Sequence, residues 1–393
     1  MNMALTPQTF SQAATSEENV TTTRILDAAG LRALGPEWEE LTEHALEENA
    51  YYCRHYSEAL LNHIEERPLK AITIWRDAKL IALLPFVSNR RHWAGLKSLN
   101  QAWTTDYTTT SIPLIDKRWA EEAVSALLNT MAAGETGSSL WLLPNINLEG
   151  VVNRKLKAEM SDRGLPSKVY DPFDRAILTS RGSFEDHMKE HVSKKRRKDL
   201  RRNRKRLDAL GEVTWTAHES GPELDDAIDH FLRIEASGWK GKRGTALDCS
   251  DRTRAFAKEA FGDCGATNAT RADVLRLDGK PVAINLTMIA GDTGFTIKCA
   301  YDDAYRGQSV GLLLEEEMIR SVLEDDWIGR LDSSAVSGHL ITSFWNDRIE
   351  VGDILIDAKP NAGSLRFRLF SSLEKLRRSA RGVAKDIFNR LRD

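Results

Sequence analysis

Two stretches of the chain carry the same apolar pattern. AITIWRDAKLIALLPF (residues 71–86) reads as strand, tight turn, strand. ADVLRLDGKPVAINLTM (272–288) reads the same way, with Asp278-Gly279 as the turn. Each follows a region with helical periodicity, 31–66 in the first case and 222–261 in the second. Each precedes an amphipathic helix, 119–131 and 311–323. Each helix leads to a short apolar strand, SLWLLP and IGRLDSS. Helix, hairpin, strand, helix, strand thus occurs twice in one order, which predicts two α/β domains of one type. The expected boundaries are a disordered leader 1–23, a first domain 24–180, a basic connecting helix 181–211, a second domain 212–360 and a terminal helix 361–393.

The connecting segment is predicted as one helix over 183–210. Ser183 caps it, Asp186 stands at the capping-box position and Gly211 ends it. Met188, Val192, Leu200, Leu207 and Leu210 form a narrow apolar stripe, and charges cover the other sides. SKKRRKDLRRNRKRL (193–207) holds ten Lys or Arg residues against Asp199 alone. In the terminal helix, Leu369, Phe370, Leu373, Leu376, Ala380, Val383, Ile387, Phe388 and Leu391 recur at helical spacing beside many Arg and Lys. That helix docks on the protein body or touches an anionic membrane.

Charge alters the picture only locally. The 393 residues have a formal net charge of -3, with 41% hydrophobic and 29% charged residues, as in a globular protein with a real core. The basic run carries a net +9, so the rest of the chain is acidic and not a general polyanion binder. Cys53, Cys249, Cys264 and Cys299 form no CxxC pair and read as free thiols, with no metal site. The leader has neither a basic nor an apolar signal region, so a cytoplasmic location is expected, at most peripheral to a membrane.

The stretch TIKCAYDDAYRGQSVGLLLEEEMI (296–319) is the richest in chemistry. A strand over 295–300 enters a polar loop, and a helix starts near Val310. Unpaired N–H groups and the helix dipole at such a junction bind phosphate or pyrophosphate. Gln308, Ser309, Val310, Gly311 and Leu312 form this candidate cradle, and Gly311 admits a ligand close to the backbone. GWKGKRGT (238–245) is a second anion-friendly loop. It is predicted as a flap over substrate, with Trp239 as a flat face and Lys240 as a charge.

This block resembles the acyl-CoA-binding strand–loop–helix of the GNAT acyltransferase superfamily, whose pattern is R/Q-x-x-G-x-G/A. Gln308 and Gly311 match, and Leu313 replaces the final small residue. DAKLIALLPF, IEASGWKGKRGTAL, DGKPVAINLTM, KCAYDDAYRGQSVGLLLEEE and LDSSAVSGHLITSFWNDR together resemble the cellulose-biosynthesis (CelD/BcsL-like) acetyltransferases. That family is similar to tandem-GNAT proteins, including the Fem-type aminoacyl-tRNA-dependent ligases. The resemblance implies tandem GNAT-like domains, each a mixed, mainly antiparallel sheet flanked by helices. It also implies acetyl-CoA or another acyl-CoA as co-substrate, and a carbohydrate or exopolysaccharide-related acceptor. The matching stretch of the first half, DYTTTSIPLIDKRWAEE, has no glycine, so one acyl-CoA site is expected, in the second half.

In a GNAT-like site the acceptor is the nucleophile, and the protein supplies oxyanion donors, a base and often a Tyr acid. Asp332 and His339 are the candidate bases. Tyr301 is the candidate acid, with Tyr305 as its alternative, because LITSFWNDR offers Trp345 and no Tyr. Arg197, Arg201 and Arg204 are expected to meet a substrate or CoA phosphate, or else to be a solvated helix face. A Fem-type transferase, a non-catalytic anion- or nucleic-acid-binding protein and a GNAT scaffold without turnover are the competing readings. Without a recognisable nucleic-acid module, DNA is not an expected partner.

Overall fold

The computed structural model describes residues 20–90, 92–93, 96–265, 270–325, 327–360 and 364–390. Its strands are β1 (Thr21–Asp27), β2 (Leu69–Arg76), β3 (Lys79–Asn89), β4 (Leu99–Ala102), β5 (Leu114–Ile115), β6 (Leu140–Asn147), β7 (Ser167–Thr179), β8 (Val213–His218), β9 (Thr270–Leu277), β10 (Lys280–Ala290), β11 (Thr293–Tyr301), β12 (Arg330–Asp332) and β13 (Asp347–Asp357). The helices are α1 (Ala28–Arg32), α2 (Pro36–Glu43), α3 (Arg54–His63), α4 (Ala120–Ala132), α5 (Val151–Asp162), α6 (Phe184–His191), α7 (Lys194–Asp208), α8 (Gly221–Ser237), α9 (Trp239–Lys242), α10 (Asp251–Phe261), α11 (Val310–Glu324) and α12 (Ser364–Arg390).

Among the described residues the strands form one sheet in the order β1-β2-β3-β4-β6-β13-β7-β12-β11-β10-β9-β8, with β5 on β3. The fold is mixed α/β and mainly antiparallel. Its parallel pairs, β4 with β6 and β11 with β12, hold matching places in the two halves. Both hairpin turns have an Asp at positive φ, 55° at Asp77 and 49° at Asp278. Each of these Asp side chains accepts an N–H just before the first strand of its half, Val20 at 3.1 Å and Glu212 at 2.8 Å. The periodicity shared by the two sequence stretches is thus a repeated local geometry.

The halves exchange their last strands. β7 of the first half pairs with β12 of the second, and β13 of the second pairs with β6 of the first. β7 and β13 also pair with each other along most of their lengths. The sheet therefore runs unbroken across both halves, and neither half completes it alone.

Helices cover both faces. One core cluster spans both halves beneath α3, α8 and α10. Within it the Tyr56 and Phe256 rings meet edge to face at 5.7 Å. On the other face α4 and α5 cover the first half, while α6, α7 and α11 cover the second.

Four expectations change. Residues 21–23 of the leader belong to β1, where three β-branched Thr residues pair with β2; residues 1–19 lie outside the described residues. The helix over 183–210 is two helices. Ser183 does cap α6, accepting the Asp186 N–H at 3.2 Å, but the Asp186 carboxylate takes the Ser183 hydroxyl at 2.8 Å instead of closing a capping box; Val192 then turns extended and Ser193 starts α7, accepting the Arg196 N–H at 3.3 Å. The restart keeps Met188, Val192, Leu200 and Leu207 buried, whereas Leu210 lies past the helix end and is exposed. Ser193→Ala should cost about 1 kcal/mol of stability, read as a lower urea midpoint at unchanged slope.

The stretch 238–245 is not wholly a loop. Residues 239–242 form α9, and Gly241 lies so close to the end of α8 that a Cβ would come within 1.7 Å of the Ala236 oxygen. The terminal helix docks by Phe367, Phe370, Ser371 and Glu374, while Leu369 and Leu376 point outward. The side chains of Val383, Ile387, Phe388 and Leu391 lie outside the described residues.

Candidate active site

The site is a splay between β11 and β12. These strands pair only over Thr293–Phe295 and Arg330–Asp332. The register of β10 on β11 then shifts: Leu286 faces Lys298 but Thr287 faces Thr296, so Ile297 is an extra residue. Such a bulge bends and twists its strand. β11 continues to Tyr301 while β12 gives way to a loop, and a cavity of about 750 Å³ opens between them.

One wall is the turn into α11. Asp302 closes it by accepting the Ala304 N–H at 3.0 Å, and a 3₁₀ turn runs over Asp303–Gln308. Ser309 then takes a left-handed conformation, φ 53°, and its carbonyl accepts the N–H groups of Leu312 and Leu313. The N–H groups of Val310 and Gly311 meet no acceptor among the described residues. They head a 15-residue helix whose dipole adds positive potential. A Cβ on Gly311 would lie 3.3 Å from the Tyr301 ring, so the turn packs tightly against the strand end. Ser309, Gly311, Leu312, Tyr301 and the exposed Arg306 line this wall.

The facing wall is the loop after β12. Ser334 has φ 52°, and its N–H is held by Asp332 Oδ1 at 2.7 Å. Thr296 donates to the Ser333 carbonyl at 2.9 Å. The first half contributes here: the Tyr51 hydroxyl is 2.8 Å from Ser334 Oγ and accepts a bond from Thr109 at 2.8 Å. Burial pushes the Tyr51 hydroxyl up to about 12, so it stays protonated. His339, Leu340, Ile341 and Phe344 complete the wall.

Two further groups matter. On α11, one turn beyond Gly311, Glu315 lines the cavity and accepts the Trp345 indole N–H at 2.6 Å. Burial pushes its carboxyl up to about 7, against the pull of that hydrogen bond and aided by the Asp273 carboxylate. At the rim, Lys240 and Lys298 share Glu235, at 2.8 and 3.8 Å. Burial holds Lys298 below the usual lysine range, against the pull of Glu235 and helped by Lys240.

The cavity therefore gathers Tyr301, Ser309, Gly311, Leu312, His339, Trp239 and Lys240 from the expected set. Trp239 is 49% exposed at the rim. Gln308 lies in the turn outside the lining, Tyr305 packs against the core, and Val310 is fully buried. Asp332 is behind the wall, buried, with Arg175 Nη1 3.6 Å from its Oδ2. Arg197, Arg201 and Arg204 do not line the cavity. Arg204 bonds Glu317 of α11 at 2.6 Å, while Arg201 lines a separate open depression on α7. Among the described residues no group of His, Cys, Asp and Glu side chains is arranged to hold a metal ion.

Tyr51, Arg175, Glu315 and Lys298 were not singled out from sequence. Glu315 alone left a signal, since four residues after Gly311 is the same helix face. Nothing in the acidic run Glu315 to Glu317 says which carboxylate turns inward.

Residues 194–335 match the family model described as an acetyltransferase (GNAT) domain. No curated protein sequence matches the chain. Among solved structures, FemX is similar with a TM-score of 0.56 at 10% identity, over 81% of this chain and 95% of that one. A conserved protein of unknown function from Bacteroides thetaiotaomicron is similar with a TM-score of 0.52 at 13% identity, over 83% and 97%. The C-terminal domain (DUF2156) assigned to a lysylphosphatidylglycerol synthetase of Agrobacterium fabrum has a TM-score of 0.51 at 11% identity, over 83% and 92%. At such identities the likeness is one of fold. The stretch that holds β11, the turn and the start of α11 is thus an acetyltransferase (GNAT) domain, and with it the chain is an acyltransferase.

Proposed function

We propose that the chain transfers an acyl group, acetyl in the first instance, from acyl-CoA to a hydroxyl or amine of a carbohydrate or exopolysaccharide precursor. The observations that carry the donor half of this reading are the unpaired Gly311 N–H and the N-terminus of α11, on the cavity wall. They suit the pyrophosphate, and the splay beside β11 suits the extended arm that ends in the thioester. The acceptor class rests on the resemblance of the sequence blocks to cellulose-biosynthesis acetyltransferases.

The acceptor's oxygen or nitrogen attacks the thioester carbonyl, its proton passes to a base, and the C–S bond breaks. The departing thiolate takes a proton from an acid. Tyr301, at the strand end, is the acid in this reading. Glu315 or His339 is the base, since both line the cavity. Asp332 acts through the Ser334 N–H, holding the loop that faces the thioester.

If Glu315 is the base, kcat/KM rises about tenfold per pH unit up to about pH 7 and then levels. Glu315→Gln removes that limb and His339→Gln leaves it; the opposite pattern assigns the base to His339. A carboxyl whose folded value is raised destabilises the fold as pH climbs from its ordinary value toward 7. Glu315→Gln should therefore gain melting temperature relative to the parent over that window, and not below it.

A Fem-type aminoacyl-tRNA-dependent transfer is the second reading. The exposed basic side of α7, Lys198, Arg201, Arg202, Lys205 and Arg206 around one depression, favours it. Ligand-induced melting shifts separate the two: acetyl-CoA alone raises the melting temperature under the first, aminoacyl-tRNA under the second. Charge reversal at Arg197, Arg201 and Arg204, which do not line the cavity, should weaken aminoacyl-tRNA binding under the second reading and spare acetyl-CoA binding under the first. No loss of aminoacyl-tRNA binding makes α7 an ordinary solvated face.

A further inference from the structure

The terminal helix α12 has two apolar faces, and the protein covers one. The inner face is built in. Phe367 and Phe370 pack with Trp93, Leu99 and Leu355. Glu374, fully buried, accepts His92 Nε2 at 2.8 Å and Trp93 Nε1 at 3.2 Å and pairs with Arg377 and Arg378. The Tyr170 hydroxyl donates to the Ser371 carbonyl at 2.7 Å. These positions lie on one side of the helix.

The opposite side carries Leu365, Leu369 and Leu376, exposed by 77%, 57% and 67%. Steps of four and seven residues stack them in one stripe. In the sequence the same spacing runs on through Ala380 and Val383 to Ile387. Arg368 and Lys375 are exposed beside the stripe and have no carboxylate partner among the described residues. A helix laid along the protein needs one apolar face, so the second needs another occupant.

The charges choose between two occupants. A second copy of the chain packing stripe to stripe would bring Arg368 and Lys375 of both copies together, with no exposed carboxylate on α12 over residues 365–381 to offset them. A surface apolar beneath and anionic above satisfies leucines and cations at once. α12 does not cross it: no helix among the described residues is long and apolar enough to span a membrane.

We propose that α12 seats the protein on an anionic lipid bilayer through Leu365, Leu369 and Leu376, with Arg368 and Lys375 at the headgroups. This reading is independent of the reaction catalysed.

The test is flotation of the full chain with phosphatidylcholine vesicles, with and without about one-third phosphatidylglycerol. The parent should float with the anionic vesicles, less so in high salt. The triple variant Leu365→Ser, Leu369→Ser, Leu376→Ser should lose about tenfold or more in partition at an unchanged melting temperature, since those side chains are already in water. Arg368→Glu with Lys375→Glu should remove the preference for anionic over neutral vesicles. A parent that stays below both kinds of vesicle, or a triple variant that floats as well as the parent, overturns the proposal. So does a dimer in sedimentation that the triple variant makes monomeric, for then the occupant is a second copy.

Discussion

Gly311→Trp should weaken acetyl-CoA binding at least ~100-fold by calorimetry, about 2.7 kcal/mol, with little change in melting temperature. The Cβ alone would sit 3.3 Å from the Tyr301 ring, which a small shift accommodates. An indole on that Cβ has little room toward the strand and turns into the cavity, across the free N–H of Gly311. Gly311→Ala, which stops at the Cβ, should lose far less. The contrast ties the loss to the cradle rather than to the fold. If the Trp variant bound acetyl-CoA like the parent, the donor would lie elsewhere and the proposed reaction would lose its main support.

The second large effect is on stability. Arg175 stands on β7 with 3% of its surface exposed, at the seam where the two halves exchange strands. Its Nη2 donates to the Thr109 carbonyl at 2.9 Å, and its Nη1 faces Asp332 at 3.6 Å. Its Nε has no partner among the described residues, and a cavity of about 20 Å³ beside it has room for about one water. Arg175→Ala leaves the Asp332 carboxylate buried and without its cation, which costs about 3–5 kcal/mol. The measurement is the urea midpoint, with slope unchanged. Adding Asp332→Asn should recover part of the loss, because a neutral amide no longer needs the cation, and the double-mutant cycle gives the coupling. A loss under about 1 kcal/mol would mean that hydration within the seam replaces Arg175. Activity should fall with stability in Arg175→Ala, since Asp332 also holds the Ser334 N–H on the cavity wall.

Much of the fold was legible because its signals are local. The two hairpins needed only alternating apolar residues and an Asp at each turn, and both Asp residues do adopt positive φ. The start of α11 was readable from Ser309 onward, because a helix beginning after a polar loop is a short-range event. The basic segment is two helices rather than one, because the chain restarts at Ser193. Ser193 is a better cap than a helix interior, and charge density in the run concealed that local choice.

The candidate site was legible by halves. Gly311, Tyr301 and His339 came from a contiguous stretch and line one cavity. Tyr51 and Thr109 reach the same wall from more than 200 positions away, and no spacing rule connects them to Ser334. Asp332 was visible as a strand-end carboxylate, but its partner Arg175 belongs to a strand of the other half.

The amino-acid sequence by itself determined the repeated element order, the turn chemistry, the capped helix starts and the glycine-bearing turn into α11. All of these depend on interactions within a few residues. Tertiary structure alone decided that the halves exchange β7 and β13, and that Glu315 rather than its two neighbours turns inward beside Trp345. It also decided that α12 is left with an uncovered row of leucines. Those outcomes depend on which surfaces meet when distant strands pair, and a contact between surfaces leaves no period in the chain that forms it.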